Sequence, residues 1–114
     1  MIRTPKELKE NSTCMTVEPL GITVYFLTTK EGWALIGEDP RDCLGFVSAY
    51  KNRRVVGLPV KYDEYTVWHE AHHLARFLNA ECGILTDASD HEADCYLQES
   101  LVRQIKKQVY GRKI

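Results

Sequence analysis

The 114-residue sequence lacks several features that would assign it to a specialised class of protein. No apolar run approaches the roughly 18 residues of a membrane-spanning helix. Lys and Arg number 15 against 16 Asp and Glu, so the surplus of positive charge typical of proteins that coat nucleic acid is missing. Seven glycines and four prolines are too few for a collagen-like or low-complexity chain. The length fits one compact domain, and we expect residues 1–114 to form a single domain.

Paired cysteines at short spacing are also missing. No two of the four cysteines form a Cys-x-x-Cys pair, which argues against a zinc ribbon and against a thioredoxin-type motif. The first 20 residues carry charges throughout and lack the apolar block of a secretion signal. We therefore expect a cytoplasmic protein whose cysteines are reduced and buried as small apolar groups. These cysteines are Cys14, Cys43, Cys82 and Cys95.

The first half of the chain predicts a short helix followed by a small sheet. Thr4 is a candidate cap, Pro5 suits the first helical position, and Glu7 completes a capping box. Runs rich in β-branched and aromatic residues then predict strands at 22–27, 33–36, 46–50 and 55–58. Their order along the chain favours an antiparallel sheet of three or four strands.

From Asp63 onward the apolar period changes from two residues to 3.6. The repeat predicts a helix that begins after Asp63 and ends before Gly83, followed by a loop and a last helix. The apolar stripes of the two helices are Val67, Ala71, Leu74 and Leu78, and Leu97, Leu101, Ile105 and Val109. The fold prediction is therefore α+β: a small antiparallel sheet, a short N-terminal helix and two longer C-terminal helices.

The first of these helices contains the pattern His-Glu-x-x-His at residues 69–73. Residues four apart lie one turn above each other, so the imidazoles of His69 and His73 can converge on one zinc ion. Both lie nearly opposite the apolar stripe of the helix and are expected to face a cleft. Glu70 lies about 100° round the helix from His69, where a general base can take a proton from an attacking water.

A catalytic zinc site needs a third protein ligand, and the start of the last helix offers several. Glu92 is our choice, because it follows His73 by 19 positions and lies off the apolar stripe of its own helix. It is equally placed to complete a capping box with Ser89. His91, Asp90 and Asp94 remain rival ligands, and Asp94 is also suited to hold a ligand imidazole in place.

Further polar residues are weaker candidates for the chemistry. Tyr62, Tyr65 and Tyr96 are each suited to donate a hydrogen bond to an oxyanion, and the sequence does not rank them. Arg76 follows on the histidine side of its helix and is a candidate for binding a substrate carbonyl. Cys95 is a candidate nucleophile, although nothing in the sequence pairs it with a base.

The two motifs together resemble those of the ImmA/IrrE-type zinc metallopeptidases. That family has His-Glu-x-x-His and then Glu-Ala-x-x-Phe-Ala on the next helix, and this chain has Glu92-Ala93-x-x-Tyr96 at the second position. The resemblance covers residues from about 45 to 97. It implies a compact zincin-like fold with His69, His73 and Glu92 as zinc ligands and Glu70 as the base. This sequence departs from the family pattern at His72, where glycine is usual, and at Tyr96 and Leu97.

The expected function is zinc-dependent hydrolysis of a peptide bond in a protein or peptide substrate. The predicted strand at 46–50 is a candidate edge strand that holds the substrate in extended form by strand addition. The resemblance further implies that the substrate is a repressor or stress regulator of a phage or mobile element. The alternative is a catalytically inactive zincin-like module that binds a protein partner. The two hypotheses differ at Glu70, which only the enzyme requires.

Overall fold

The computed structural model describes residues 5–50, 53–83 and 92–111 and has an α+β fold, as predicted. The short N-terminal helix and the two longer C-terminal helices are confirmed. The predicted cap at Thr4, the loop 84–89 and the capping residue Ser89 lie outside the described residues. The elements in chain order are α1 (Pro5–Glu10), β1 (Thr13–Val17), β2 (Ile22–Leu27), α2 (Lys30–Ala34), β3 (Phe46–Tyr50), β4 (Arg53–Gly57), α3 (Glu64–Glu81) and α4 (Glu92–Gln108).

The four strands form one mixed sheet in the order β1-β2-β4-β3. The β3–β4 pair is antiparallel, as predicted. The strand β1 was not predicted; it pairs antiparallel with β2, but β2 and β4 are parallel. The difference arises at residues 33–36, where the predicted strand was wrong. Thr29 caps a short helix there by accepting a hydrogen bond from the Gly32 amide. The buried Trp33 indole donates to the carbonyl of Leu27 at 2.8 Å, which fixes α2 against the end of β2.

Helices cover both faces of this sheet. Alternate residues of β2 point to opposite faces, and Val24 and Phe26 belong to the larger core under α3 and α4. Leu27 on the other face packs with Leu8 of α1 and Trp33 of α2 in a smaller cluster. All four residues of the predicted α3 stripe are fully buried in the larger core. The sheet therefore presents β3 at one edge, where α3 packs beside it.

The predicted boundaries of α3 are confirmed. The Asp63 side chain accepts a hydrogen bond from the Thr66 amide at 3.1 Å, and Gly83 has a φ of 79° after the last turn. No helix among residues 5–50, 53–83 and 92–111 is long and apolar enough to cross a membrane.

The cysteines differ from the prediction in their burial. All four fall within the described ranges and none is joined in a disulfide, but only Cys43 is partly buried. Cys14, Cys82 and Cys95 are exposed, because each lies on the solvent side of its strand, helix end or helix. The burial predicted for Cys14, Cys82 and Cys95 was therefore wrong, whereas Cys43 packs against the smaller apolar cluster.

Candidate functional site

The two histidines of the motif lie side by side on the exposed face of α3. The ring centroids of His69 and His73 are 4.9 Å apart, with an angle of 79° between the ring planes. This orientation follows from the apolar stripe, which packs into the core and turns the opposite face outward. The prediction that both imidazoles face a cleft is confirmed, since both line a cavity next to β3.

That cavity, called the cleft below, has a volume of about 500 Å³. One wall is the edge strand β3. The other is α3, which carries the motif residues His69, Glu70 and His73. Its lining residues are Gly45, Phe46, Val47, Ser48, Ala49, His69, Glu70, His73 and Phe77. A concave site that combines apolar walls with a few converging polar groups is the usual form of a binding site for a small ligand or peptide segment.

Glu70 is the buried member of the motif. Only 5 % of its surface is exposed, and burial raises the pKa of its carboxyl group above the usual 4.5, while charge on His69 and His73 opposes that rise. A raised pKa suits a group that must both accept and return a proton near neutral pH. The carboxyl group lies at the boundary of the cleft, beside the histidines, as predicted.

Gly45, just before β3, lets the backbone approach Glu70. A Cβ atom at this position would lie 2.8 Å from the Glu70 Cγ and 2.9 Å from the Gly57 carbonyl oxygen. Only glycine fits there without a shift. This residue was not recognised from the sequence, because its role depends on the packing of β3 against α3.

The other candidate site residues on α3, and Tyr62 just before it, differ in how close they lie to the motif. Tyr65 stacks on His69 with ring centroids 5.9 Å apart, so it is close to the motif. Tyr62 instead donates to the Glu64 carboxylate, and Arg76 lies 3.8 Å from the Asp94 carboxylate. His72 is exposed beside His73, at 5.6 Å between ring centroids, and does not line the cleft.

The start of α4 packs beside the C-terminal half of α3. The Asp94 carboxylate is buried, accepts a hydrogen bond from the Asn79 amide at 2.8 Å and lies near Arg76. Asn79 and Arg76, the two partners of Asp94, both come after His73 in α3. Glu92, two positions before Asp94, is exposed, and the rival ligands Asp90 and His91 lie outside the described residues.

We tested whether these residues fit a zinc ion. The two imidazoles have the residue spacing and the common cavity that zinc requires, and imidazole nitrogen is a preferred zinc ligand. Within residues 5–50, 53–83 and 92–111, no three His, Cys, Asp or Glu side chains are grouped to hold one ion. Glu92 is therefore not assembled with His69 and His73 there. His69 and His73 therefore share one cavity, whereas Glu92 stays a candidate from the sequence alone.

Two residues of the cleft were missed by sequence reasoning. Phe77 lies four residues after His73 and so on the same helix face, which was a usable signal. Gly45 became part of the site only through the packing of β3 against α3. The edge position predicted for Phe46–Tyr50 is confirmed, and this strand lines the cleft.

Two candidates on α4 lie outside the cleft. Tyr96 and Cys95 are exposed on that helix and do not line the cleft.

Comparison of the chain with protein-family models, with curated proteins and with solved structures gave no match. The resemblance to the ImmA/IrrE metallopeptidases therefore rests on the two short motifs and on the hairpin (residues 45–58) that precedes the motif helix.

Proposed function

We propose that this protein is a zinc-dependent peptidase that cleaves a protein or peptide substrate. The observation that carries the proposal is the arrangement of the cleft. His69 and His73 line it together, with ring centroids 4.9 Å apart, and the buried Glu70 lies between them and β3. A solvated polar helix face would not need a carboxyl group buried beside two imidazoles, because burial of an acid is costly without a role.

In this proposal His69 and His73 would hold the zinc ion, with Glu92 as the third ligand. Bound zinc would supply Lewis-acid polarisation of a substrate carbonyl and would lower the pKa of water. Glu70 takes the proton of the attacking water and later passes it to the leaving amine. Its burial supports this role, because the raised pKa of its carboxyl group makes the carboxylate a stronger base toward the attacking water.

The substrate lies along β3 in an extended conformation. β3 is the last strand of the sheet order, with one edge paired to β4 and the other bordering the cleft. An extended peptide can add to such an edge through main-chain hydrogen bonds. The test uses an intact peptide whose sequence the wild-type protein cleaves. When it binds to the Glu70→Gln variant, hydrogen exchange should slow at alternate amides of Phe46–Tyr50. Unchanged exchange there would refute strand addition.

The proposal includes a cellular setting. Exposed thiols without disulfides are typical of a reducing compartment, so we infer that the protein acts in the cytoplasm. The family resemblance makes repressors and stress regulators of phages or mobile elements the first substrates to test.

The experiment that tests the metal site is elemental mass spectrometry on native protein purified without chelator or metal-affinity resin. We expect about one zinc per chain, lost in His73→Ala and retained in His72→Ala, its exposed neighbour outside the cleft. For the third ligand, Glu92→Ala should lower zinc affinity, whereas Glu99→Ala, another exposed glutamate of α4, should not. Protein without metal that takes up none from added zinc would contradict the proposal.

The role of Glu70 separates an enzyme from a binding module. Glu70→Gln should abolish cleavage while zinc remains bound, because the amide cannot accept the proton. Retained cleavage in this variant would rule out the mechanism. A protein that binds a partner equally well with either residue, and cleaves nothing, would instead be the zincin-like binding module.

A further inference from the structure

A second cavity opens beside the cleft, on the side of the α3 N-terminus. We call it the side cavity; its volume is about 260 Å³ and its lining residues are Leu44, Gly45, Tyr65, Thr66, His69 and Glu70. Gly45, His69 and Glu70 also line the cleft. The two cavities therefore meet at the groups to which we assign the reaction.

Two large apolar side chains form the outer walls of the side cavity. Leu44 is 69 % exposed and Tyr65 is 71 % exposed, so both have apolar surface available for a ligand. The Tyr65 ring is stacked on the His69 ring, with 23° between the planes, which holds that wall in position. Apolar surface exposed in a concave place marks a ligand site more strongly than the same surface scattered singly.

The inner end of the side cavity shares Gly45, His69 and Glu70 with the cleft. The Thr66 hydroxyl already donates to the Asp63 carboxylate that caps α3, and the Glu70 carboxylate would repel an acidic ligand. The polar groups of His69 and Glu70 thus lie at the inner end, next to the proposed reaction. The exposed apolar surface of Leu44 and Tyr65 favours an uncharged, apolar side chain at the outer end.

We propose that the side cavity is a specificity pocket that binds one apolar substrate side chain of leucine or phenylalanine size, with Leu44 and Tyr65 setting the preference. The inference rests on the proposed peptidase function. Side chains alternate along an extended peptide. A peptide that lies along β3 with its scissile carbonyl at His69 and Glu70 places an adjacent side chain beside Gly45, which lines both cavities.

The test uses zinc-loaded protein and a degenerate mixture of twelve-residue peptides, with the new termini read by mass spectrometry. One position next to the cleaved bond should favour leucine or phenylalanine over glycine by about tenfold or more, the discrimination expected of an apolar pocket. Leu44→Ala and Tyr65→Ala should each reduce this preference to about threefold or less. Tyr65→Phe, which keeps the ring, should retain it.

The matched control is Val60→Ala, because Val60 has the same 69 % exposure as Leu44 and lines neither cavity. It should leave the preference unchanged. A preference that survives both Leu44→Ala and Tyr65→Ala would overturn the proposal. So would a preference for lysine or arginine at that position.

A second measurement separates failure of the pocket from failure of the peptidase function. If wild-type protein cleaves no peptide, the peptidase function is refuted and the pocket is judged by binding alone. N-acetyl-leucine amide should shift the amide NMR signals of Leu44, Tyr65 and Thr66 and bind about tenfold more tightly than N-acetyl-glycine amide, and Tyr65→Ala should remove the difference. Equal affinity for the two amides in wild-type protein would overturn the pocket.

Discussion

At the scale of single residues, Gly45 determines how closely β3 can lie to the carboxyl group of Glu70. Gly45→Ala would place a Cβ 2.8 Å from the Glu70 Cγ and 2.9 Å from a backbone oxygen. We expect a loss of about 1–3 kcal/mol in the free energy of unfolding, as for other overpacked sites, together with loss of cleavage as Glu70 moves. Urea unfolding and a peptide-cleavage assay measure the two effects.

A double-mutant cycle identifies the contact responsible. In a Glu70→Ala background, two of the three close contacts of the new Cβ disappear, so Gly45→Ala should cost less there. The same cost in both backgrounds would show that Glu70 is not the group that Gly45 accommodates.

The motif residues could be predicted from sequence because their geometry is local. His69, Glu70 and His73 stand on one helix, and the position of its buried stripe fixes the face that they occupy. The role of Gly45 in the site could not be predicted, since it depends on which strand packs against α3. Glu92 remains a prediction, as the segment that joins α3 to α4 lies outside the described residues.

At the scale of secondary-structure elements, Glu64 links the start of α3 to the end of α4. Its carboxylate accepts hydrogen bonds from the Tyr62 hydroxyl and the Trp68 indole at the start of α3, and pairs with the Lys106 ammonium of α4 at 2.9 Å. The Tyr62 hydroxyl, Lys106 and then Trp68 lower the pKa of this carboxyl group from 4.5 to about 2. The negative charge of the Glu64 carboxylate also interacts favourably with the positive end of the helix dipole at the N-terminus of α3.

The lowered pKa of Glu64 predicts a specific loss of stability in acid. Because the folded-state pKa lies below the unfolded value, the stabilisation is fully present above about pH 4.5 and is lost as the pH falls toward 2. Glu64→Gln should therefore lower the urea midpoint at pH 6 and make it less dependent on pH between 5 and about 2. Glu10→Gln, at an exposed glutamate of α1, is the control. Identical pH dependence in wild type and Glu64→Gln would contradict the assignment.

A second contact between elements joins α4 to the turn after β1. The Gln104 side chain accepts a hydrogen bond from the Glu18 amide at 2.9 Å and donates to the Glu18 carbonyl at 3.0 Å. Gln104→Ala should cost about 1 kcal/mol of unfolding free energy through loss of these bonds. Arg103→Ala, at the exposed neighbouring position, should stay within about 0.5 kcal/mol of wild type. Equal unfolding free energies for the two variants would show that the bonds contribute nothing.

The wrong prediction of a strand at residues 33–36 shows where β-strand propensity was misleading. Residues 33–36 carry strand-forming side chains, but the Thr29 cap and the burial of Trp33 between Leu27 and Leu58 decide their conformation. A tertiary contact outweighed local preference there. The absence of a returning strand then brought β4 beside β2, and so made the sheet mixed.

At the scale of the whole molecule, bound zinc should stabilise the fold by an amount that grows with the logarithm of its concentration relative to its dissociation constant. Both proposed histidine ligands belong to α3, whose buried face forms much of the larger core. Zinc at 100 times its dissociation constant should raise the unfolding free energy by about 2.7 kcal/mol. Thermal unfolding with and without added zinc should show this gain in wild type and His72→Ala, and not in His73→Ala. A similar gain in all three proteins would place the metal elsewhere.

The fold class was predictable because the change of apolar period at Asp63 divides the chain into a sheet half and a helical half. The parallel pairing of β2 with β4 was not, because periodicity specifies which face of a strand is buried and not which strand lies next to it. The edge position of β3, and with it the cleft wall, depends on that pairing.

The parallel β2–β4 pairing also bears on the order in which the molecule folds. Val24 and Arg54 pair although they are 30 positions apart, whereas the partners Val17 and Ile22 are five apart and Tyr50 and Arg53 three. Closing a longer loop costs more entropy, and distant contacts slow folding. The two hairpins are therefore expected to form early and to join late. The histidine pair depends only on helix formation, so during refolding His69 and His73 should come together before the cleft wall against which the proposed substrate lies.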